Sequence, residues 1–209
     1  MKIKNILWDF DGVILDSMSV RDWGFREIFK NNKKEDVDQL IRYHRQNGGL
    51  SRYVKIRYFH EDILQIPIND SEVLAYANSF SDLMRTRLID KSNLIQETVN
   101  FIRLNSENYN FHIVSGSDQE ELRFICSRLN LSNYFLSIHG SPTPKNELVK
   151  NLISNYNYIF TDTILIGDSV NDYEAARKND LSFYGYNNLE LKSISDFYIE
   201  GFETLEKRL

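Results

Sequence analysis

The feature that most constrains the fold is a short apolar segment followed by a long stretch with helical patterning alone. Residues 3–8 read Ile-Lys-Asn-Ile-Leu-Trp, which is typical of a short buried strand that ends at Asp9. Apolar side chains between residues 17 and 93 recur with helical spacing, and no segment there indicates a strand. Strand and helix patterns alternate beyond residue 93. This order predicts a parallel α/β sheet with helices on both faces and a helical insertion after the first strand.

The segments after the insertion predict the rest of the α/β unit. Strands are predicted at residues 111–115, 163–166 and 181–186, and helices at 94–104, at 173–178 and through Leu129. Ser117 and Glu120 predict a capping box for the helix through Leu129. Pro144 is expected at the first position of another helix. Inside the insertion, the spacing of Asn69 and Glu72 predicts a second capping box.

The composition excludes several functional classes. The net charge of the 209 residues is −5, which gives no global attraction to nucleic acid or to an anionic membrane. No apolar run reaches the roughly 18–20 residues that cross a bilayer, and the absence of a targeting segment favours the cytoplasm. The sole cysteine, Cys126, excludes an internal disulfide and a structural thiolate zinc site. We expect no nucleic-acid or membrane partner, and either a monomer or a homodimer.

Acidic side chains, one hydroxyl and one ammonium group are predicted to converge at one edge of the sheet. Ligands of such sheets bind beyond the carboxyl ends of the strands. The polar residues expected there are Asp9, Asp11, Ser115, Lys145, Asp168 and Asp172. Four acids packed together repel one another, and a divalent cation relieves that repulsion. Magnesium suits carboxylates and phosphate oxygens, whereas the lysine, the serine and backbone N–H groups suit the phosphate itself.

These residues carry a resemblance to a known family. The segment Asp9-Phe-Asp11-Gly-Val-Ile-Leu-Asp16-Ser17 resembles the first motif of the haloacid dehalogenase-like (HAD) superfamily, and Gly167-Asp168-Ser169-Val-Asn-Asp172 resembles its fourth. Ser115 and Lys145 are similar to its second and third motifs, and all four occur in order along nearly the whole chain. With a helical insertion directly after the first motif, the chain resembles the phosphoglycolate phosphatase and β-phosphoglucomutase branch.

The resemblance implies a fold and a division of the chain. The fold would be α/β, with a Rossmann-like doubly wound parallel sheet as its core and an inserted α-helical cap domain. Residues 1–16 and 92–209 would form the core. Residues 17–91 would form the cap, which closes over the substrate and excludes bulk water.

The resemblance also implies catalytic and metal-binding roles. Asp9 would be the nucleophile that forms an aspartyl-phosphate, and Asp11 would protonate the leaving oxygen and then activate water. Magnesium would be held by Asp9, by the backbone carbonyl of Asp11 and by Asp168. Asp172 would ligate the metal through water or brace Lys145.

The second and third motifs would hold the phosphoryl group. Ser115, the N–H of Gly116 and Lys145 would bind its oxygens. From the residues alone, ordinary turn chemistry is the alternative for Ser115, and a solvated helix position is the alternative for Lys145.

Within the insertion, the segment Gly48-Gly49-Leu50-Ser51-Arg52 indicates substrate recognition. Two glycines give a flexible loop with free N–H groups, and Arg52 offers a fork for a carboxylate or a second phosphate. Gly49, Ser51 and Arg52 are therefore candidate specificity residues. A plain helix–helix turn capped by Ser51 is the alternative.

The predicted function is a Mg²⁺-dependent phosphatase that hydrolyses a small phosphorylated metabolite, such as a sugar phosphate or a phosphoglycolate-like compound. A sugar phosphomutase of the β-phosphoglucomutase type shares every motif and is the nearest alternative. A receiver-like domain or a HAD fold serving only as a binding module is the non-enzyme alternative, against which the helical insertion and the intact acids argue.

A phosphonate hydrolase is disfavoured because the sequence gives no argument for Lys55 as its cap lysine. His44 and His60 are expected to cover helix surface.

Overall fold

The computed structural model describes residues 2–209, which form a parallel sheet with helices on both sides. The strands are β1 (Asn5–Trp8), β2 (Asn110–Asp118), β3 (Ser137–Ser141), β4 (Thr163–Gly167), β5 (Ser182–Tyr186) and β6 (Phe197–Ile199). All pairings are parallel, in the order β3-β2-β1-β4-β5-β6. The strand order reverses at β1, so the crevice at its carboxyl end is where a ligand is expected.

The helices fall into an inserted group and a flanking group. The inserted helices are α1 (Met18–Ile28), α2 (Lys34–Gln46), α3 (Arg52–Tyr58) and α4 (Asp70–Arg87). The flanking helices are α5 (Gln96–Asn105), α6 (Gln119–Arg128), α7 (Lys145–Tyr156), α8 (Val170–Arg177) and α9 (Phe202–Glu206). The prediction of an insertion without strands is confirmed. Within residues 2–209, no helix combines the length and the apolar character that crossing a membrane requires.

Two apolar cores lie on opposite faces of the sheet because side chains alternate along each strand. In β1, Ile6 and Trp8 belong to one core, and Leu7 belongs to the other. Apolar residues of α5, α6 and α9 fill the first core, and those of α7 and α8 fill the second. The predicted doubly wound α/β architecture with an inserted helical cap is therefore confirmed.

The two chain segments that connect the sheet to the insertion lie side by side. The N–H of Asp16 donates to the carbonyl of Asn93 at 2.7 Å, and the N–H of Ile95 donates to the carbonyl of Ile14 at 3.0 Å. The chain thus leaves and re-enters the α/β unit at one place. The domain boundaries at residues 16/17 and 91/92 stay a prediction.

Two strands were not predicted from the sequence. β3 reads Ser-Ile-His-Gly-Ser, with one large apolar residue, and β6 has three residues, so neither carries the alternating apolar run that marks a strand. Both lie at edges of the sheet, where fewer apolar residues are needed. β2 also extends beyond its predicted end at Ser115, to Asp118.

The predicted helix starts are partly wrong. Asp118 is the N-cap of α6 and its carboxylate accepts from the N–H of Glu121 at 3.0 Å, so the Ser117–Glu120 capping box does not form. The hydroxyl of Ser117 instead bonds Asp11. Pro144 is the N-cap of α7, so Lys145 takes the first helical position. The Asn69–Glu72 capping box is confirmed.

Candidate active site

Asp9 and Asp11 are positioned by the central strand and by the turn that leaves it. Asp9 follows β1, and its N–H donates to the carbonyl of Ile166 in β4 at 2.9 Å, so its backbone still belongs to the sheet. Gly12 adopts φ +77°, and a Cβ there would collide with the carboxylate of Asp168. Only glycine combines a left-handed backbone with such a close approach. The turn therefore brings the first and fourth motifs together.

Lys145 connects the nucleophile candidate to the fourth motif. Its Nζ donates to Asp9 Oδ1 at 2.7 Å and also to Asp172 Oδ1. Asp172 Oδ2 accepts from the N–H of Ser169 at 3.1 Å and from its hydroxyl at 2.6 Å. Burial disfavours the ammonium form, but Asp172 and Asp9 raise the pKa of Lys145 above its ordinary value. Asp172 thus braces Lys145, one of the two roles expected for it.

Asp9, Asp168 and Asp172 form an acidic cluster at the carboxyl ends of β1 and β4. Each offers one carboxylate oxygen, and these oxygens lie within 4.8 Å of one another. Burial raises the pKa of both Asp9 and Asp168, neighbouring carboxylates raise it further, and the Lys145 ammonium offsets part of the effect. A hard divalent cation with oxygen ligands would relieve the remaining repulsion, so this donor set fits Mg²⁺.

The carboxylate of Asp11 is held by three donors. Its oxygens accept from the hydroxyl of Ser17, from Arg21 Nε at 2.8 Å and from the hydroxyl of Ser117 at 2.5 Å. Burial raises the pKa of Asp11, but the Arg21 guanidinium and these hydrogen bonds outweigh it and hold the pKa below its ordinary value. Asp11 is therefore ionised in this arrangement, which suits a group that accepts a proton from water.

The second motif lies directly under the loop of the cap. The hydroxyl of Ser115 is buried and accepts from the N–H of Ser117 at 3.1 Å. A Cβ on Gly116 would collide with the carbonyl oxygen of Gly49, so the glycine at position 116 allows backbone to touch backbone. A Cβ on Gly49 would instead meet Asn171 and Ser169 of the fourth motif. Ser51 caps α3 by accepting from the N–H of Val54 at 3.4 Å, which is the turn chemistry weighed as its alternative role.

Two arginines of the insertion converge on one buried carboxylate of the core. Glu121 of α6 accepts from Arg21 Nη1 at 3.2 Å and from Arg52 Nη1 at 2.5 Å. Arg21 also donates to Ser117 at 2.8 Å, and Arg52 donates to Ser81 at 2.7 Å. The Nη2 of Arg52 is buried without a hydrogen-bond partner among residues 2–209. Arg52 thus pairs with Glu121 of the core, and its Nη2 is available for a further hydrogen bond.

His44 and Lys55 line the same cavity, although neither was predicted to have a role there. The expectation that His44 covers helix surface is wrong, because 2% of the residue is exposed. Neither of its ring nitrogens has a hydrogen-bond partner in the described chain, and Nε2 lies 3.8 Å from Asp22 Oδ1. Lys55 is 3% exposed, and its Nζ donates to the carbonyl of Gly48 at 3.2 Å.

The cavity has a volume of about 140 Å³ and two chemically distinct walls. Among the residues that line it, we call Asp9, Asp11, Ser115 and Asp168 the core wall, and Arg21, His44, Arg52 and Lys55 the cap wall. Ser51 lies outside this cavity and lines a neighbouring one with Lys145.

Helical spacing could have pointed to two of the missed residues. Arg21 follows Ser17 by one turn, and Lys55 follows Arg52 by about one turn, so each shares a helix face with a motif residue. Glu121 carries no such signal. Its importance depends on two arginines that are distant in sequence.

Comparisons with known proteins identify a family for this chain. The family profile described as haloacid dehalogenase-like hydrolase matches residues 6–186. No curated protein sequence matches the chain.

Similar solved structures cover almost the whole chain at low identity. A predicted phosphoglycolate phosphatase from Haemophilus somnus 129pt has 16% identity and a TM-score of 0.77, covering 100% of this chain and 98% of its own. A HAD hydrolase from Bacillus subtilis bound to magnesium has 15% identity and a TM-score of 0.74, covering 100% and 99%. The β-phosphoglucomutase of Clostridium difficile has 16% identity and a TM-score of 0.74, covering 99% and 96%.

These structures share the fold of this chain, and the profile match extends over most of its length. The chain belongs to the haloacid dehalogenase-like hydrolase family.

Proposed function

We propose that this protein is a Mg²⁺-dependent phosphatase that hydrolyses a small phosphorylated metabolite through an aspartyl-phosphate on Asp9. The observation that carries the proposal is the setting of Asp9. It is 3% exposed at the end of the central strand, 2.7 Å from Lys145, and shares an acidic cluster with Asp168 and Asp172. A buried carboxylate among acids and one lysine suits attack on an anionic ester once a cation is bound.

The metal would be held by Asp9, Asp168 and the backbone carbonyl of Asp11. Mg²⁺ there would shield the attacking carboxylate from the phosphate and offset charge on the phosphoryl oxygens. Asp172 would keep Lys145 directed at the reacting group through their ion pair.

In the first half-reaction, a carboxylate oxygen of Asp9 attacks phosphorus and the ester P–O bond breaks. The Lys145 ammonium, the Ser115 hydroxyl and the Gly116 N–H stabilise the phosphoryl oxygens. The leaving oxygen takes a proton from the carboxyl group of Asp11. Because Arg21 favours the ionised form of Asp11, this step needs the Arg21 contact to loosen when substrate enters.

In the second half-reaction, Asp11 acts as a base. Its carboxylate takes a proton from a water molecule while the water oxygen attacks phosphorus. The bond between phosphorus and Asp9 breaks, inorganic phosphate leaves, and both aspartates return to their starting states. The hydrogen bonds from Arg21 and Ser117 suit the ionised Asp11 that this half-reaction requires.

A panel of phosphorylated metabolites, assayed for phosphate release with Mg²⁺ and with chelator, tests the proposal. We expect steady phosphate release that stops in chelator and returns with Mg²⁺. Isomerisation of a sugar phosphate with little release would identify a mutase, and a long-lived phosphoprotein with poor turnover would identify a receiver-like protein. Full activity in chelator would contradict the metal assignment.

A further inference from the structure

The cap wall holds more buried hydrogen-bonding capacity than the protein itself uses. Arg52 Nη2 and both ring nitrogens of His44 are buried without partners among the described residues. A buried unpaired polar atom costs about 1–3 kcal/mol, so such atoms seldom persist without a purpose. Those of His44 and Arg52 belong to residues that line the cavity containing Asp9.

The charges around this wall do not balance. Arg21 is paired with Asp11 and Glu121, and Arg52 is paired with Glu121 as well. Two guanidinium groups are therefore matched by two carboxylates. The Nζ of Lys55 donates to the backbone carbonyl of Gly48, but no carboxylate among residues 2–209 pairs with it. One positive charge is left over in a buried place.

The electrostatics of the neighbouring side chains agree with this count. Burial lowers the pKa of Lys55 to about 7, and the Arg21 guanidinium adds to the effect. Burial also lowers the pKa of His44, with Lys55 and Arg21 contributing, so His44 is neutral and adds no charge. An ammonium group responds in this way when it lacks an anionic partner.

We propose that Lys55 and the free Nη2 of Arg52 bind a carboxylate of the substrate, so that the preferred substrate is a short phosphorylated carboxylic acid. This inference rests on the proposed phosphatase function. The core wall, with a divalent cation bound, would hold the phosphoryl group, and the cationic cap wall would hold the carboxylate.

A carboxylate fits the charge count better than a second phosphate. One negative charge neutralises Lys55, whereas a phosphate dianion would leave an excess negative charge buried beside Glu121 and Asp11. The cavity of about 140 Å³ also favours a substrate of few carbons. A cavity of about 150 Å³ holds a molecule the size of benzene.

Matched substrate pairs test the inference without requiring knowledge of the natural substrate. In each pair the carboxylate is replaced by a hydroxymethyl group, as in 2-phosphoglycolate against 2-hydroxyethyl phosphate and 3-phosphoglycerate against glycerol 3-phosphate. We expect the acid to be favoured in kcat/KM by at least about tenfold, since an uncharged group cannot neutralise the buried ammonium. Ethylene glycol bisphosphate, which offers a second phosphate instead, should be a poorer substrate than 2-phosphoglycolate.

Variants identify the residue responsible. Lys55→Met keeps the length and removes the charge, and it should bring the acid-to-alcohol ratio close to one. Lys55→Gln, which keeps a polar group, provides the same measurement if Lys55→Met does not fold. Lys34→Met is the matched control, because Lys34 is on the insertion with an 80% exposed side chain, and it should leave the ratio unchanged.

Binding separates failure of this inference from failure of the proposed function. Calorimetry on Asp9→Asn with Mg²⁺ should show at least about tenfold tighter binding of each acid than of its alcohol, and the added Lys55→Met change should remove that difference. If no ester is turned over, the phosphatase proposal fails while this measurement still decides on the carboxylate site. Equal affinities, tighter binding of the alcohols, or tighter binding of the bisphosphate would overturn the inference.

Discussion

The core wall and the cap wall differ in how far the protein satisfies its own polar groups. Within the described chain, the side chains of Asp9, Asp11 and Ser115 each have a hydrogen-bond partner, whereas both ring nitrogens of His44 and the Nη2 of Arg52 are buried without one. The core wall is rich in acids that repel one another, and the cap wall is rich in cations with spare donors. One wall therefore needs a cation, and the other needs an anion.

This difference indicates a division of labour. Every phosphate ester offers the same phosphoryl group, so the wall that meets it can be fully preorganised in the absence of substrate. The rest of the substrate varies between esters, and groups that discriminate must keep free donors for it. Glu121 links the two walls, because it extends from the core and bonds both arginines of the cap wall.

The largest effect is expected from breaking the core wall at Asp9. Asp9→Asn keeps the shape and removes the attacking charge, so kcat should fall at least about a thousandfold with the fold intact. Steady-state phosphate release and circular dichroism measure both properties. Asp82→Asn, at a carboxylate that is 79% exposed on α4, should change neither. Near-normal turnover in Asp9→Asn would show that the nucleophile is elsewhere.

Glu121, which links the two walls, should contribute mainly to stability. Glu121→Gln leaves two buried guanidinium groups without their shared counter-charge, and we expect a loss of about 3 kcal/mol in the free energy of unfolding. Urea unfolding measures this loss. The neighbouring Glu120, whose side chain is 73% exposed, provides the control Glu120→Gln, which should change it little. Equal stability of the two variants would mean that Glu121 does not hold the cap to the core.

The backbone contact between Gly116 of the core and Gly49 of the cap loop can be tested by adding one methyl group. Gly116→Ala would push against the carbonyl of Gly49 and hold the cap loop away from the core. We expect kcat/KM to fall by roughly ten- to a hundredfold, because small misplacements of catalytic groups have effects of that size. Gly201→Ala is the control, since a Cβ at Gly201 meets nothing within 4 Å. Unchanged kinetics in Gly116→Ala would mean that closure does not use this contact.

The smallest effect, on stability as a function of pH, should have opposite signs at the two walls. The folded-state pKa of Asp9 is raised from 3.8 to about 7, so metal-free protein should lose stability as the pH rises through this range. The folded-state pKa of Lys55 is lowered from 10.5 to about 7, so stability should rise between pH 7 and 10.5.

Urea unfolding of chelated protein across pH 4–10, compared with the variants, measures both slopes. Asp9→Asn should flatten the acid side, and Lys55→Met should flatten the alkaline side. The exposed-site variants Asp82→Asn and Lys34→Met should follow the wild type. A Lys55→Met profile with the wild-type alkaline slope would show that Lys55 is not buried as a cation.

The sequence alone determined the architecture and the core wall. An apolar segment ending at Asp9, a helical stretch of about 70 residues and the later strand–helix alternation were sufficient, because each depends on local periodicity. Parallel strands align their carboxyl ends, so motif residues far apart in sequence, such as Asp9 and Asp168, had to meet at one edge.

Only the tertiary structure decided the edge strands, the N-terminal ends of α6 and α7, and the cap wall. β3 and β6 are stabilised by pairing with neighbours and not by their own composition. Ser117 bonds Asp11 instead of capping α6, because a partner brought from elsewhere in the chain outcompetes the local one. The burial of His44 and Lys55 and the convergence of two arginines on Glu121 depend on how the inserted helices pack against the core. Charge and burial at such positions arise from contacts between distant residues, and helical spacing alone does not determine them.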